Sequence, residues 1–159
     1  MTDDEYDRLS RSACFVCRLV QGAPLMPDPQ VVYEDERHVA FLNQRTPQEG
    51  YTIVCPKQHV ERFEDMTGEV WLALQAVVQQ VARAVAASTG VIRMYVASLG
   101  SPERNPHLHV HVCPCPAGTP FEDQQFVTMN PPDGRYLDLA PAHMREIADG
   151  VRAHFQPAG

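Results

Sequence analysis

The stretch PHLHVHVCPC, residues 106–115, puts His107, His109 and His111 at every second position, with Leu108 and Val110 between them. Alternate side chains of an extended chain share a face, so this spacing predicts a β-strand with imidazoles on one side and aliphatic residues turned to the core. On a helix neighbouring histidines of this set would lie about 200° apart, and Pro106 disfavours a helical predecessor. Such a row fits a metal site, a nucleophile with helpers, or a decorated sheet face. Strict alternation of three imidazoles with two aliphatics argues against decoration. The rest of the chain must separate metal from nucleophile.

Length and composition set the frame. A chain of 159 residues, 44% hydrophobic and 21% charged, is expected to form one globular domain, residues 1–159, with a proper core. The formal net charge of −7 argues against a nucleic-acid partner, because neutralising many phosphates takes a basic surface. The opening MTDDEYDRLS lacks the basic and apolar parts of a signal peptide, and no apolar run is expected to approach membrane-spanning length. A cytoplasmic protein without a membrane partner is the expectation. Five cysteines, an odd number, include the tight pair CFVC, which in a reducing compartment suggests metal binding or redox chemistry over a disulfide framework.

The order of elements is legible from periodicity. Residues 7–20 have helical character ending at Gly22, and a proline-rich loop follows. VVYEDERHVAFLN predicts two short strands around the polar turn EDER, and YTIVCP a third stopped by Pro56. Val70, Leu74, Val77, Val78, Val81 and Val85 recur at helical spacing, with Thr67 placed to cap the helix and Gly90 to end it. VIRMYVAS and HLHVHV are two further strands. Met144, Ile147, Ala148, Val151 and Phe155 predict an amphipathic C-terminal helix. The expected class is α+β, an antiparallel sheet with one long helix between its third and fourth strands.

Taken in that order, CFVC, YEDERHVAFLN, PKQHV, the long helix and PHLHVHV resemble the histidine triad (HIT) family of nucleotide hydrolases and transferases, whose motif alternates histidines with apolar residues. The resemblance covers about residues 14–116 and leaves 117–159 as a C-terminal extension. It implies a five-stranded antiparallel sheet, a homodimer and an adenosine nucleotide as substrate, such as a diadenosine polyphosphate or an AMP phosphoramidate. His109 corresponds to the family's nucleophile, which would carry AMP transiently. A neutral imidazole is nucleophilic near physiological pH, and a covalent intermediate splits one hard displacement into two easier ones. His111 corresponds to the residue that contacts the phosphates, and Asn43 to the side chain on the ribose hydroxyls.

The chain departs from the family pattern just before the triad. Members often read Gly-Gln-Ser or Gly-Gln-Thr there, where this chain has SPERNPH with Glu103, Arg104 and Asn105. Arg104 would supply a phosphate fork or be a solvated surface charge. Ser98 takes roughly the place of a phosphate-contacting Asn, and Tyr51 that of a histidine common in eukaryotic members. The resemblance to zinc-containing prokaryotic members implies a structural zinc held by Cys14, Cys17, His59 and His107, a closed Cys2His2 set with no open position for catalysis. The rivals are a catalytic metal on all three triad histidines, with Cys113 and Cys115 as further donors, and a nucleotide-binding regulatory protein with negligible turnover.

Overall fold

Side chains along residues 38–42 and 52–56 sort by parity between two cores. Val39, Phe41, Ile53 and Cys55 point to one side of the sheet, where they meet Val16, Tyr51 and Met129. Ala40, Leu42 and Val54 point to the other and pack with Leu74, Val78, Val81 and Val85. A sheet buried on both faces needs a cover on each, and the chain supplies them from different segments. The computed structural model, which describes residues 3–155, runs α1 (Asp3–Ser12), α2 (Phe15–Val20), β1 (Val31–Glu34), β2 (His38–Leu42), β3 (Thr52–Pro56), α3 (Gly68–Thr89), β4 (Val91–Ala97), β5 (Val110–Pro116), α4 (Phe126–Met129) and α5 (Pro141–Arg152).

The five strands pair antiparallel in the order β1-β2-β3-β5-β4. This is the expected α+β arrangement, with the long helix between the third and fourth strands. The β1–β2 turn is held by Asp35, whose Oδ1 accepts the N–H groups of Arg37 at 2.8 Å and His38 at 2.6 Å. Thr67 caps α3 through its hydroxyl, which accepts from Val70 N, and Gly90 ends it at φ 64°, a left-handed geometry that suits glycine. The C-terminal helix α5 joins the same core through Met144, Ala148 and Val151.

Three expectations need correction. The helical stretch at 7–20 is two helices, broken where Cys14 turns extended (φ −67°, ψ 113°) to cap α2, its sulfur accepting from Cys17 N at 3.4 Å. The strand expected over HLHVHV begins only at Val110, and His107 and His109 lie in the segment before it. The alternation nonetheless holds there: Leu108 and Val110 enter the α3 core, and Leu108 N–H finds its acceptor in the Val60 carbonyl at 2.7 Å. Lastly, α3 is long and apolar enough, by length and composition, to cross a membrane. Its buried face, Leu74 to Val85, is committed to the sheet.

Candidate active site and metal centre

The break between α1 and α2 brings two sulfurs to one point. Cys14 Sγ lies 3.3 Å from His107 Nδ1, and Cys17 Sγ lies 3.3 Å from His59 Nδ1 and 3.7 Å from His107 Nδ1. All four donor atoms fall within 4.8 Å of one another. The imidazoles are oriented from behind: His107 Nε2 donates to the Pro56 carbonyl at 2.8 Å, and His59 Nε2 faces Glu61 Oε1 at 3.3 Å. Each ring thus presents Nδ1 as a lone pair, the tautomer a ligand needs. Burial first, then the Cys14 sulfur beside it, raises Cys17 to about 11, so a cation would be needed to hold both sulfurs as thiolates. The donor set fits a tetrahedral zinc with no open position.

The other two triad histidines turn away from that cluster into a cavity of about 470 Å³. His109 Nδ1 lies 2.7 Å from the His107 carbonyl oxygen. A carbonyl only accepts, so Nδ1 carries the proton and Nε2 keeps its lone pair. Burial holds the His109 imidazole below its ordinary pKa, which keeps the lone pair available. His111, its ring centroid 4.8 Å from that of His109, is paired at Nδ1 with the Tyr51 hydroxyl at 2.8 Å. Burial first, then Cys113 and two further tyrosines, push the Tyr51 phenol well above its usual value, so it stays protonated and donates. His111 Nε2 is then the N–H, buried and without a partner among the described residues. A lone pair and an unspent donor stand side by side, the arrangement a phosphoryl group in transfer requires.

The remaining expected site residues spread around this centre. Asn43 lines the cavity, its backbone N–H held by the Tyr51 carbonyl at 2.8 Å. Ser98 is exposed and donates to the His109 carbonyl at 2.9 Å, so it braces the backbone of the triad. Arg104 lines the cavity and is partly exposed, but its guanidinium is already engaged: it pairs with Asp7, donates from Nε to Ser10 Oγ at 3.1 Å, and lies 4.9 Å from the Tyr6 ring centroid. Asn105 donates to the Tyr6 hydroxyl at 3.2 Å. Cys113 and Cys115 are fully buried and outside the donor cluster, which among the described residues is the one grouping of this kind.

Sequence reasoning missed the far wall. Tyr6 from α1 and Phe126, Met129 and Tyr136 from the extension line the same cavity. Arg45 stacks on Tyr136 at 3.9 Å and reaches the Tyr6 ring at 5.5 Å. The spacing of Tyr6, Leu9 and Ser10, three and four apart on a helix, was the available signal. Gly100 was missed as well: a Cβ there would sit 2.9 Å from Asn105 O and 3.2 Å from His109 Cε1.

A two-cored antiparallel sheet thus sets His109, with its Nδ1 tied to a backbone carbonyl, beside His111, whose Nε2 has no partner among the described residues. Residues 27–116 match the HIT domain, and the chain belongs to the HIT family. A zinc-bound histidine triad protein of Mycobacterium smegmatis superposes with a TM-score of 0.67 at 28% identity, over 90% of this chain and 93% of that one. An uncharacterised HIT-like protein of Methanocaldococcus jannaschii is 43% identical over 53 residues, which span 33% of this chain and 39% of that protein. A bifunctional bis(5'-adenosyl)-triphosphatase/adenylylsulfatase of Arabidopsis thaliana is 26% identical over 70% of this chain and 64% of its own length.

Proposed function

We propose that this protein is a nucleotide hydrolase or nucleotidyl transferase acting at the α-phosphate of an adenosine nucleotide, a diadenosine polyphosphate or an AMP phosphoramidate, through a covalent intermediate on His109. The observation that carries the reading is the 2.7 Å contact from His109 Nδ1 to the His107 carbonyl, which leaves Nε2 as an oriented nucleophile inside the cavity. Nε2 attacks the α-phosphorus, the bond to the leaving group breaks with its electron pair, and the leaving group takes a proton from solvent. Water then displaces the imidazole and frees AMP. His111 Nε2 donates to the phosphoryl oxygens in both steps, and Asn43 serves the ribose hydroxyls.

Zinc on Cys14, Cys17, His59 and His107 has a structural part in this reading: bound, it ties α2 to the segment carrying the triad. The donor set of this chain and the zinc-bound relative support it. Unpaired cysteines throughout the described residues agree with a reducing, cytoplasmic setting. A homodimer through the outer edge of β4, where Ile92 and Val96 are 54% and 48% exposed, is part of the same proposal, as is the treatment of residues 1–159 as one domain. The binding-only reading has one observation in its favour, the capture of Arg104 by Asp7. The test is mass measurement of the protein after mixing with adenosine nucleotides. Wild type should carry one AMP on His109, and His109→Asn should bind nucleotide, carry none and turn over nothing. Hydrolysis surviving in His109→Asn would end the covalent reading, and binding without any adduct or turnover in wild type would favour the regulatory one.

A further inference from the structure

The helix α1 does little for either core. Of its described side chains only Ser10 is buried, at 9% exposure, while Tyr6 and Leu9 line the cavity. What holds the helix is polar and centred on one short loop. Asp7 pairs with Arg104, Ser10 Oγ accepts from Arg104 Nε at 3.1 Å, and the Tyr6 hydroxyl accepts from Asn105 Nδ2 at 3.2 Å. The Tyr6 ring also has the Arg104 and Arg45 guanidinium groups against it, at 4.9 and 5.5 Å. That loop abuts the nucleophile, since a Cβ on Gly100 would meet His109 Cε1 at 3.2 Å. An element fastened by a few half-exposed polar contacts opens at far lower cost than a core element, and an exposed ion pair such as Asp7–Arg104 adds little to hold it.

The chemistry of the latch is selective. A guanidinium fork is matched equally by a carboxylate and by a phosphate, and in the closed arrangement Asp7 takes it. AMP alone leaves that pair in place. A nucleotide with phosphates beyond the α-position brings a second anion to the loop, where it competes for Arg104 and repels Asp7. Resting on the reading that the α-phosphate binds at His109 and His111, we propose that α1 is a lid over the phosphate end of the cavity, latched by Asp7 and Arg104. It yields to nucleotides whose leaving group carries further phosphates, which makes this pair the determinant of leaving-group preference.

Hydrogen exchange on the full zinc-loaded chain tests this, with AMP and the α,β-methylene analogue of diadenosine triphosphate as probes. The analogue should speed exchange of the α1 amides and AMP should not. Asp7→Asn keeps the side-chain shape but removes the charge. It should tighten the analogue about two- to fivefold, the range of an exposed ion pair, with AMP affinity unchanged. Arg104→Ala should erase the preference between the two probes. If both probes bind and α1 exchanges alike with each, or if Asp7→Asn leaves the affinity ratio unaltered, the lid is overturned and the phosphate site stands. If neither probe binds, the phosphate site falls and the lid with it.

Discussion

The carbonyl oxygen of His107 lies 2.7 Å from Nδ1 of His109. One residue therefore faces the Cys14, Cys17 and His59 donors with its ring and orients the His109 imidazole with its backbone. The His107 ring is fixed by the Pro56 carbonyl on one side and faces both sulfurs on the other, so loss of a metal held there would be felt at the acceptor that sets the His109 tautomer.

Cys17→Ser should accordingly lose the zinc, about one per chain in the wild type, and lower the thermal midpoint by about 2–4 °C for each kcal/mol of binding energy forfeited. His111→Ala should keep the metal, because its ring lies outside the donor cluster. Elemental analysis with thermal melts reads both. Metal retained by Cys17→Ser and lost by His111→Ala would move the ion to the triad.

Tyr51→Phe removes the phenol that fixes His111. The ring stays in the cavity, but Nδ1 loses the partner at 2.8 Å, and a buried polar atom left unpaired costs about 1–3 kcal/mol. Urea unfolding should show a loss of that order, and nitrogen NMR shifts should show His111 no longer held as the Nε2–H tautomer. An unchanged tautomer would mean the hydroxyl does not direct the imidazole.

Much of this was written in the local pattern. The strands expected over VVYEDERHVAFLN and YTIVCP, the Thr67 cap and the Gly90 stop are properties of neighbours in sequence, and the structure follows them. The Cys14, Cys17, His59 and His107 set also converges where the family resemblance implied. The break at Cys14 was not legible, because a helix-compatible run gives no sign that a sulfur must turn to meet a histidine 93 residues away. The same holds for Tyr6, Arg45 and Tyr136. Each is an ordinary aromatic or charged residue, and its role arises when α1 and the extension fold back against the loop at 100–106.

The pH dependence of stability should report the buried triad. Burial, then the neighbouring His109, lowers His111 to about 3, against roughly 6.5 in an unfolded chain. Between those values the unfolded state binds a proton that the folded state refuses, so stability falls as pH drops below the unfolded value and is unaffected above it. His111→Asn should flatten the loss between about pH 6.5 and 5 by up to one proton, at most about 1.4 kcal/mol per pH unit. Parallel stability curves for the two proteins would place the missing proton elsewhere.

Gly100 and Gly68 give a matched pair for the last prediction, because neither has a positive φ and so an alanine at either site meets only steric limits. At Gly68, the first residue of α3, nothing lies within 4 Å of the added Cβ. Gly68→Ala should therefore leave activity alone and raise stability by about 0.4–1 kcal/mol through the unfolded chain. At Gly100 the same methyl meets Asn105 O at 2.9 Å and His109 Cε1 at 3.2 Å. Backbone on one side and the His109 ring on the other leave it no soft neighbour. Gly100→Ala should then displace the ring from its near-attack position and lower kcat/KM by about a hundredfold, the cost of a misplacement near 1 Å. Steady-state kinetics beside urea midpoints separate the cases: a Gly100→Ala protein with wild-type kcat/KM would show that the loop gives way without moving His109.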